Sequence, residues 1–306
     1  MSEPLAEKLR SVAVTVPTPF DETGTEVRHD ALGQYVETMQ DAGVRLIIPC
    51  GNTGEYYSLS HDERVAVVES TVAASDDETA VVAGAGGSTK TVRRLLESYE
   101  RVGVDGAMIM FPSHTYMHVR GVETYYRRIA ASTDLDLVLY KRGDELSDDT
   151  ILSLASLPNV VGVKYAVDDI TGFSKAVDRS PDDVVWMDGI AERFAPTFAL
   201  EGAEGYTSGI GSFVPDVALA LMDALRAEEW ERARELRDLV RPYEELRQEP
   251  GADNWISSAN NVPAIKFGME LAGLYGGPVR EPLVELSEAD KSRAREYYDR
   301  IVEHGP

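Results

Sequence analysis

The run Val160-Val161-Gly162-Val163-Lys164-Tyr165 carries an apolar strand pattern onto a lysine. Lysine is rarely buried without a purpose, and this chain has 7 lysines against 23 arginines. An ammonium at the end of an apolar strand enters a partly desolvated place, which favours the neutral amine. The neutral amine is the form that attacks a ketone to make a Schiff base. The competing reading is a lysine that snorkels to the rim or pairs with Asp168 or Asp169. Upstream, Val138-Leu139-Tyr140 ends another apolar run on a phenol. Beside the amine, that phenol can shuttle protons; taken alone, it reads as a core tyrosine with a satisfied hydroxyl. Gly51-Asn52-Thr53-Gly54-Glu55 follows a third apolar run. Its backbone N–H groups, hydroxyl and carboxamide suit a carboxylate, although Gly-x-x-Gly turns are common after strands.

Other chemistry-bearing residues say less. His61, His114 and His118 are too sparse for a metal site to be expected. Asp168-Asp169 reads as an acidic pair at a helix N-terminus. Gly84-Ala85-Gly86-Gly87-Ser88 has no lysine at phosphate-loop spacing and reads as close backbone packing.

Elements that could hold these residues recur along the chain as a short apolar strand, a turn and an amphipathic helix. Strands are expected at Ser11–Thr18, Val44–Pro49, Thr79–Ala85, Asp105–Met110, Leu135–Tyr140, Val160–Tyr165, Val184–Met187 and Gly205–Ser208. Helices are expected at His29–Ala42, from His61, then at Thr89–Val102, Val119–Ala131, Asp148–Leu157, Ile170–Arg179, Glu192–Leu200 and Val214–Ala227. Ser60 with Glu63 has capping-box spacing, and Ser147 can cap the helix after Tyr140. Eight such units fit an α/β fold of the (β/α)8 TIM-barrel type, in which chemistry sits where strands end. A doubly wound sheet would usually place a Gly-rich phosphate turn after its first strand; here Pro17-Thr18-Pro19-Phe20 stands there. Residues 1–227 are therefore expected to form the catalytic barrel. Residues 228–306 read as a C-terminal helical appendage, with helices at Glu228–Arg247, Asn261–Leu274 and Glu288–Val302.

Composition narrows the class. The 306 residues are 43% hydrophobic, enough for a core. Apolar runs stay strand-length, well short of the roughly 20 residues of a membrane span. Met1–Arg10 shows no apolar signal segment, and Cys50 is the single cysteine, so a cytoplasmic protein without disulfides is expected. The net charge of -23 repels nucleic acid and anionic membrane. Many carboxylates and few lysines suggest adaptation to high salt, where self-repulsion is screened; an ordinary acidic protein is the alternative.

Taken in order, these strand ends resemble the dihydrodipicolinate synthase/N-acetylneuraminate lyase family over nearly the whole chain. The similar segments are Val16–Phe20, Gly51–Glu55 with Leu59-Ser60 and Glu63, Tyr140, Val161–Lys164, Gly202–Ser208, Pro263–Lys266 and Gly277–Leu283. The resemblance implies a lyase in which Lys164 condenses with pyruvate or another 2-keto acid and Tyr140 moves protons. It implies that the substrate carboxylate sits on Asn52 and Thr53, and that Gly189 and Thr207 line the same pocket. It further implies a homotetramer that uses no metal or organic cofactor.

Departures bear on the substrate. Synthases of this family usually carry two threonines in the turn, where this chain has Asn52-Thr53. Their Pro-Tyr-Tyr segment reads Phe111-Pro112-Ser113-His114 here, and Glu145 stands near the position of their aldehyde-holding arginine. Tyr140-Lys141-Arg142 and Lys164–Ile170 look more like the keto-deoxy-glucarate dehydratase branch. The expected function is thus a lyase acting on pyruvate or a 2-keto-3-deoxy sugar acid, by dehydration or retro-aldol cleavage, with Asn52, Ser113, His114, Thr207 and Ser208 available to a polyhydroxylated chain and Arg142 able to swing inward as a cation. Dihydrodipicolinate synthase is the alternative. A catalytically silent barrel and a metal-dependent aldolase are rivals that retention of Lys164 and Tyr140, and the lack of a ligand cluster, argue against.

Overall fold

The computed structural model describes residues 3–306. Helix α1 (Leu5–Leu9) precedes strand β1 (Val12–Thr15), helix α2 (His29–Asp41) and strand β2 (Leu46–Ile48). The chain continues through α3 (His61–Ala74), β3 (Ala80–Ala85), α4 (Thr89–Val102), β4 (Gly106–Ile109), α5 (Val119–Ala130) and β5 (Asp136–Lys141). Next come α6 (Asp148–Ala155), β6 (Val160–Tyr165), α7 (Ile170–Val177), β7 (Val185–Asp188), α8 (Ala195–Leu200) and β8 (Gly205–Ser208). Four helices complete it: α9 (Pro215–Arg226), α10 (Trp230–Gln248), α11 (Asn261–Leu271) and α12 (Glu288–His304). All eight strands run parallel in chain order, and β8 closes on β1, so the molecule is a (β/α)8 barrel with C-terminal helices.

Both faces of a parallel strand are buried, which is why these strands read as continuous apolar runs. In β5, Leu137 and Leu139 pack under the helices while Val138 and Tyr140 face the barrel interior. In β6, Val163 and Tyr165 face the helices, leaving Lys164 for the interior. A register shift between Leu137 and Val138 lets β6 carry one extra residue before Gly162, and Tyr140 then pairs with Lys164.

Helix starts follow the expected chemistry. Ser60 and Glu63 form the full capping box of α3, Ser147 caps α6 through the Thr150 N–H at 3.3 Å, and Asp169 caps α7 through the Gly172 N–H at 2.8 Å. Several boundaries differ. Strand β1 ends at Thr15 instead of Thr18, because Pro17 has no N–H to extend the ladder. Strand β7 runs one residue further, to Asp188, and α8 begins at Ala195, beside Pro196, instead of Glu192. Helix α1 was not expected, because Met1–Arg10 reads as polar. Met1 and Ser2 lie outside the described residues, but Leu5 and Leu9 join the interior cluster and plug the barrel floor. A Cβ on Gly162 would stand 2.7 Å from Leu9 Cδ1, so the strand gives room to the plug. No described helix is long and apolar enough to cross a membrane.

Candidate active site

At the C-terminal mouth of the barrel lies a cavity of about 380 Å³. The expected residues Asn52, Thr53, Tyr140, Arg142, Lys164, Gly189 and Thr207 all line it. They come from the ends of β2, β5, β6, β7 and β8, where a barrel exposes chemistry.

Three buried lysines provide an internal comparison. Lys141 donates to the Leu146 carbonyl at 2.7 Å and pairs with Asp148 at 3.1 Å. Lys266 pairs with Glu55 at 2.6 Å and donates to the Pro278 carbonyl at 2.6 Å. Lys164 is only 7% exposed, yet makes no ion pair among the described residues, with Asp168 and Asp169 or with any other carboxylate. Its Nζ lies 4.6 Å from the centre of the Tyr140 ring. Burial first, then the nearby positive charge of Arg142, brings the Lys164 amine down to about 8; Asp188 opposes this. The neutral amine is thus a minority near neutrality and reaches half near pH 8.

Tyr140 is buried beside it. Its Oη accepts a hydrogen bond from Asn52 Nδ2 at 3.0 Å, leaving the phenolic proton free to donate elsewhere. Burial raises its pKa, while Arg142 and the Asn52 bond pull the other way. The resting group is therefore a phenol.

The turn after β2 is clamped in place. The Thr18 hydroxyl donates to the Gly54 carbonyl at 2.7 Å. Glu55, held in the left-handed region at φ 53°, is fixed by Lys266 and by the Arg280 backbone N–H at 2.9 Å. Arg280 also reaches the carbonyls of Gly24 and Ser58 and the carboxylate of Glu63. The N–H groups of Asn52 and Thr53 make no hydrogen bond to protein acceptors among the described residues, so they remain available to an anion. Strain gathers around the site: Cys50 at φ 56° and Ala191 at φ 71° join Glu55 in conformations that side chains disfavour. Gly84 must be glycine, since a Cβ there would collide with the Cys50 carbonyl.

Two expected contributors stay outside. Ser113 and His114 lie in the exposed stretch after β4 and do not border the cavity. His114 and His118 have the i, i+4 spacing that could chelate on a helix. Instead their Nδ1 atoms accept the backbone N–H groups of Tyr116 and Arg120, at 3.0 and 3.1 Å, and His118 caps α5. No group of three His, Cys, Asp or Glu among the described residues is placed to hold a metal. Glu145, near the position of the synthases' aldehyde-holding arginine, is likewise exposed and off the cavity wall.

Sequence reasoning missed several site residues. Asp188 is fully buried; the Ile190 N–H donates to it at 2.6 Å, and burial lifts its carboxyl to about 8. Glu192 is buried against the Ser208 hydroxyl, and burial and then Glu244 raise its pKa too. Glu244, Arg247, Gln248, Ser258 and Asn261 reach the cavity from α10, α11 and the loop between them, so the C-terminal helices supply part of its wall. Only a polar residue on the apolar face of α10 could have signalled this, and Glu244 and Arg247 are such residues.

Comparison with known proteins agrees with this geometry. Residues 8–300 match the model of the Dihydrodipicolinate synthetase family. The chain is 29% identical to a 4-hydroxy-tetrahydrodipicolinate synthase of Methanothrix thermoacetophila, covering 94% of this chain and 95% of the relative. It is 30% identical to a probable 5-dehydro-4-deoxyglucarate dehydratase of Saccharopolyspora erythraea, covering 94% and 92%. The solved dihydrodipicolinate synthase of Bacillus clausii superposes with TM-score 0.92 at 34% identity, covering 97% of this chain and 99% of that one.

Proposed function

Since the chain belongs to the dihydrodipicolinate synthetase family and is a lyase of that family, we propose that it dehydrates a 2-keto-3-deoxy sugar acid through a Schiff base on Lys164. The observation that carries this reading is an unpaired buried lysine beside a buried phenol, facing a cavity lined with mixed polar and charged side chains.

The proposed steps use groups already described. The neutral Lys164 amine adds to the keto carbon while Asn52 and Thr53 hold the adjoining carboxylate. Tyr140 protonates the carbinolamine oxygen, which leaves as water and gives an iminium. The iminium acidifies the neighbouring CH2, and the Tyr140 phenolate takes a proton from it. Burial raises the phenol pKa and so makes that phenolate a strong base. The resulting enamine expels the next hydroxyl, which takes a proton from the re-formed Tyr140 phenol and leaves as water; hydrolysis of the conjugated iminium then frees the product, returns a proton to Tyr140 and restores Lys164.

Ser208, Gln248, Ser258 and Asn261 supply mixed donors and acceptors for a hydroxylated chain. The Tyr140-Lys141-Arg142 segment supports the dehydratase branch, as do the relatives at 30% identity that carry that name. The second reading, condensation of pyruvate with aspartate semialdehyde, is favoured by Arg142, which lines the cavity and can meet a second carboxylate, and by the relatives at 30% identity and the solved structure at 34% that carry the synthase name. Comparing kcat/KM for both reactions on one sample separates them. Higher efficiency with the sugar acid is expected; preference for the semialdehyde would overturn the assignment and leave the Schiff base standing.

We infer that residues 1–227 carry the chemistry and that residues 228–306 complete the wall. Assembly as a cytoplasmic homotetramer fits the family resemblance and the exposed Tyr57, Tyr116 and Met117 side chains. Adaptation to high salt fits the net charge of -23.

A further inference from the structure

We propose that Lys266 is a positioning residue for the substrate carboxylate: through Glu55 it holds the Asn52-Thr53 turn in the shape that receives the anion, so that helix α11 sets the affinity for a keto acid. The inference rests on the Schiff-base reading above and deepens its account of binding.

Lys266 and Glu55 are 2% and 4% exposed; Glu55 borders the cavity and Lys266 stands behind it. An ion pair buried only for stability is often no better than an apolar pair of the same size. This pair fixes a residue of the site. Lys266 lies 2.6 Å from Glu55 Oε1, and the Arg280 backbone N–H donates to Oε2 at 2.9 Å. The two grips come from different parts of the C-terminal region, α11 and the segment after it. Lys266 is held in turn. Its ammonium donates to the Pro278 carbonyl at 2.6 Å and lies 4.4 Å from the centre of the Phe20 ring, which the Arg280 guanidinium approaches to 4.0 Å. Glu55 has no other ion pair among the described residues.

The residue so held is the one that closes the turn. Glu55 stands at φ 53°, which side chains disfavour and which persists where the surroundings fix it. Its backbone N–H donates to the Asn52 carbonyl at 3.1 Å. Relaxing Glu55 to an ordinary φ swings its carboxylate away from Lys266 and Arg280, so the ion pair opposes that relaxation. On its other side the turn presents the N–H groups of Asn52 and Thr53, free of protein acceptors among the described residues, and Asn52 Nδ2, which meets Tyr140 Oη at 3.0 Å. Hydrogen bonds weaken steeply when misaligned, so these donors serve a carboxylate only while aimed together. With the turn already fixed, little ordering remains to be done when the keto acid binds.

The test compares pyruvate with acetone, which has a methyl group where pyruvate has its carboxylate. With either ketone the Lys164 amine adds to the keto carbon, water leaves, and borohydride delivers hydride to the iminium carbon, leaving a secondary amine that is read by mass. The rate constant for adduct formation is measured for both ketones in wild type, Lys266→Met and Glu55→Gln/Lys266→Met. The double variant strands no buried carboxylate and keeps the pair's net charge unchanged. A change in the Lys164 amine itself alters both ketones alike, so the ratio isolates the carboxylate. In both variants the pyruvate rate constant is expected to fall about tenfold, the order one charge-assisted hydrogen bond provides. The acetone rate constant is expected to stay near that of wild type. An equal fall for both ketones overturns the proposal by marking Lys266 as structural, and so does failure of both variants to fold. A wild type that traps neither ketone sinks the Schiff-base reading and this proposal together. Trapping of both ketones, with the ratio unchanged in the variants, sinks the proposal alone.

Discussion

Lys164 differs from Lys141 and Lys266 in lacking a carboxylate partner, and the proposed Schiff base draws on that difference. Its depressed pKa gives a signed prediction. The neutral amine accumulates as pH rises, so the rate of adduct formation with pyruvate should climb through a midpoint near 8. Arg142→Met removes a like charge that lowers this pKa, so its midpoint should move up; a downward shift would contradict the cause assigned. Tyr140→Phe removes one hydroxyl from a buried ring. It should keep the fold and lose turnover by about 10²–10⁴-fold, the usual range for a positioned acid-base group. A variant within a few-fold of wild type would make Tyr140 a packing residue. Lys164 and Tyr140 were legible because a lysine and a tyrosine ending apolar runs stand out from their neighbours. Asp188 and Glu192 were not, since their meaning lies in burial beside groups on other elements. His114 was misplaced because its role depended on a loop folding inward, and that loop stays exposed.

The strand order, and with it the placing of Tyr140 and Lys164 on neighbouring strands, was readable from eight repeats of strand and helix, whereas their pairing in register depends on the shift between Leu137 and Val138. Capping chemistry placed the helix starts, because a cap is a local interaction between residues close in sequence. Helix α1 escaped notice because two leucines among charged residues show no amphipathic period over so short a span. Its packing value is testable. Leu9 is 1% exposed within the interior cluster, so Leu9→Ala should cost about 2–5 kcal/mol in urea unfolding, as buried leucines do. A cost under half a kcal/mol would mean that the barrel floor needs no plug. The C-terminal helices read as an appendage, since nothing in their sequence points back to Gly51–Glu55. In the fold, Lys266 and Arg280 grip that turn, and α10 lends Glu244 and Arg247 to the wall.

The whole molecule combines a surface of net charge -23 with a cavity in which cations outnumber carboxylates. Repulsion among surface carboxylates opposes folding and assembly, and at 1 M salt the Debye length falls to about 3 Å and screens it. The melting temperature should therefore rise through a potassium chloride series; a flat or falling curve would identify an ordinary acidic protein. The same low positive density outside the cavity should make the pocket the dominant place where a keto acid binds and reacts. That expectation is measured on the intact protein. Wild type and Lys164→Ala are incubated with a 2-keto-3-deoxy sugar acid and borohydride, then weighed by mass spectrometry and mapped by peptide fragmentation. The account predicts one reduced adduct per chain, located on Lys164 and absent from Lys164→Ala. An adduct on another residue, or equal labelling of the variant, would contradict it.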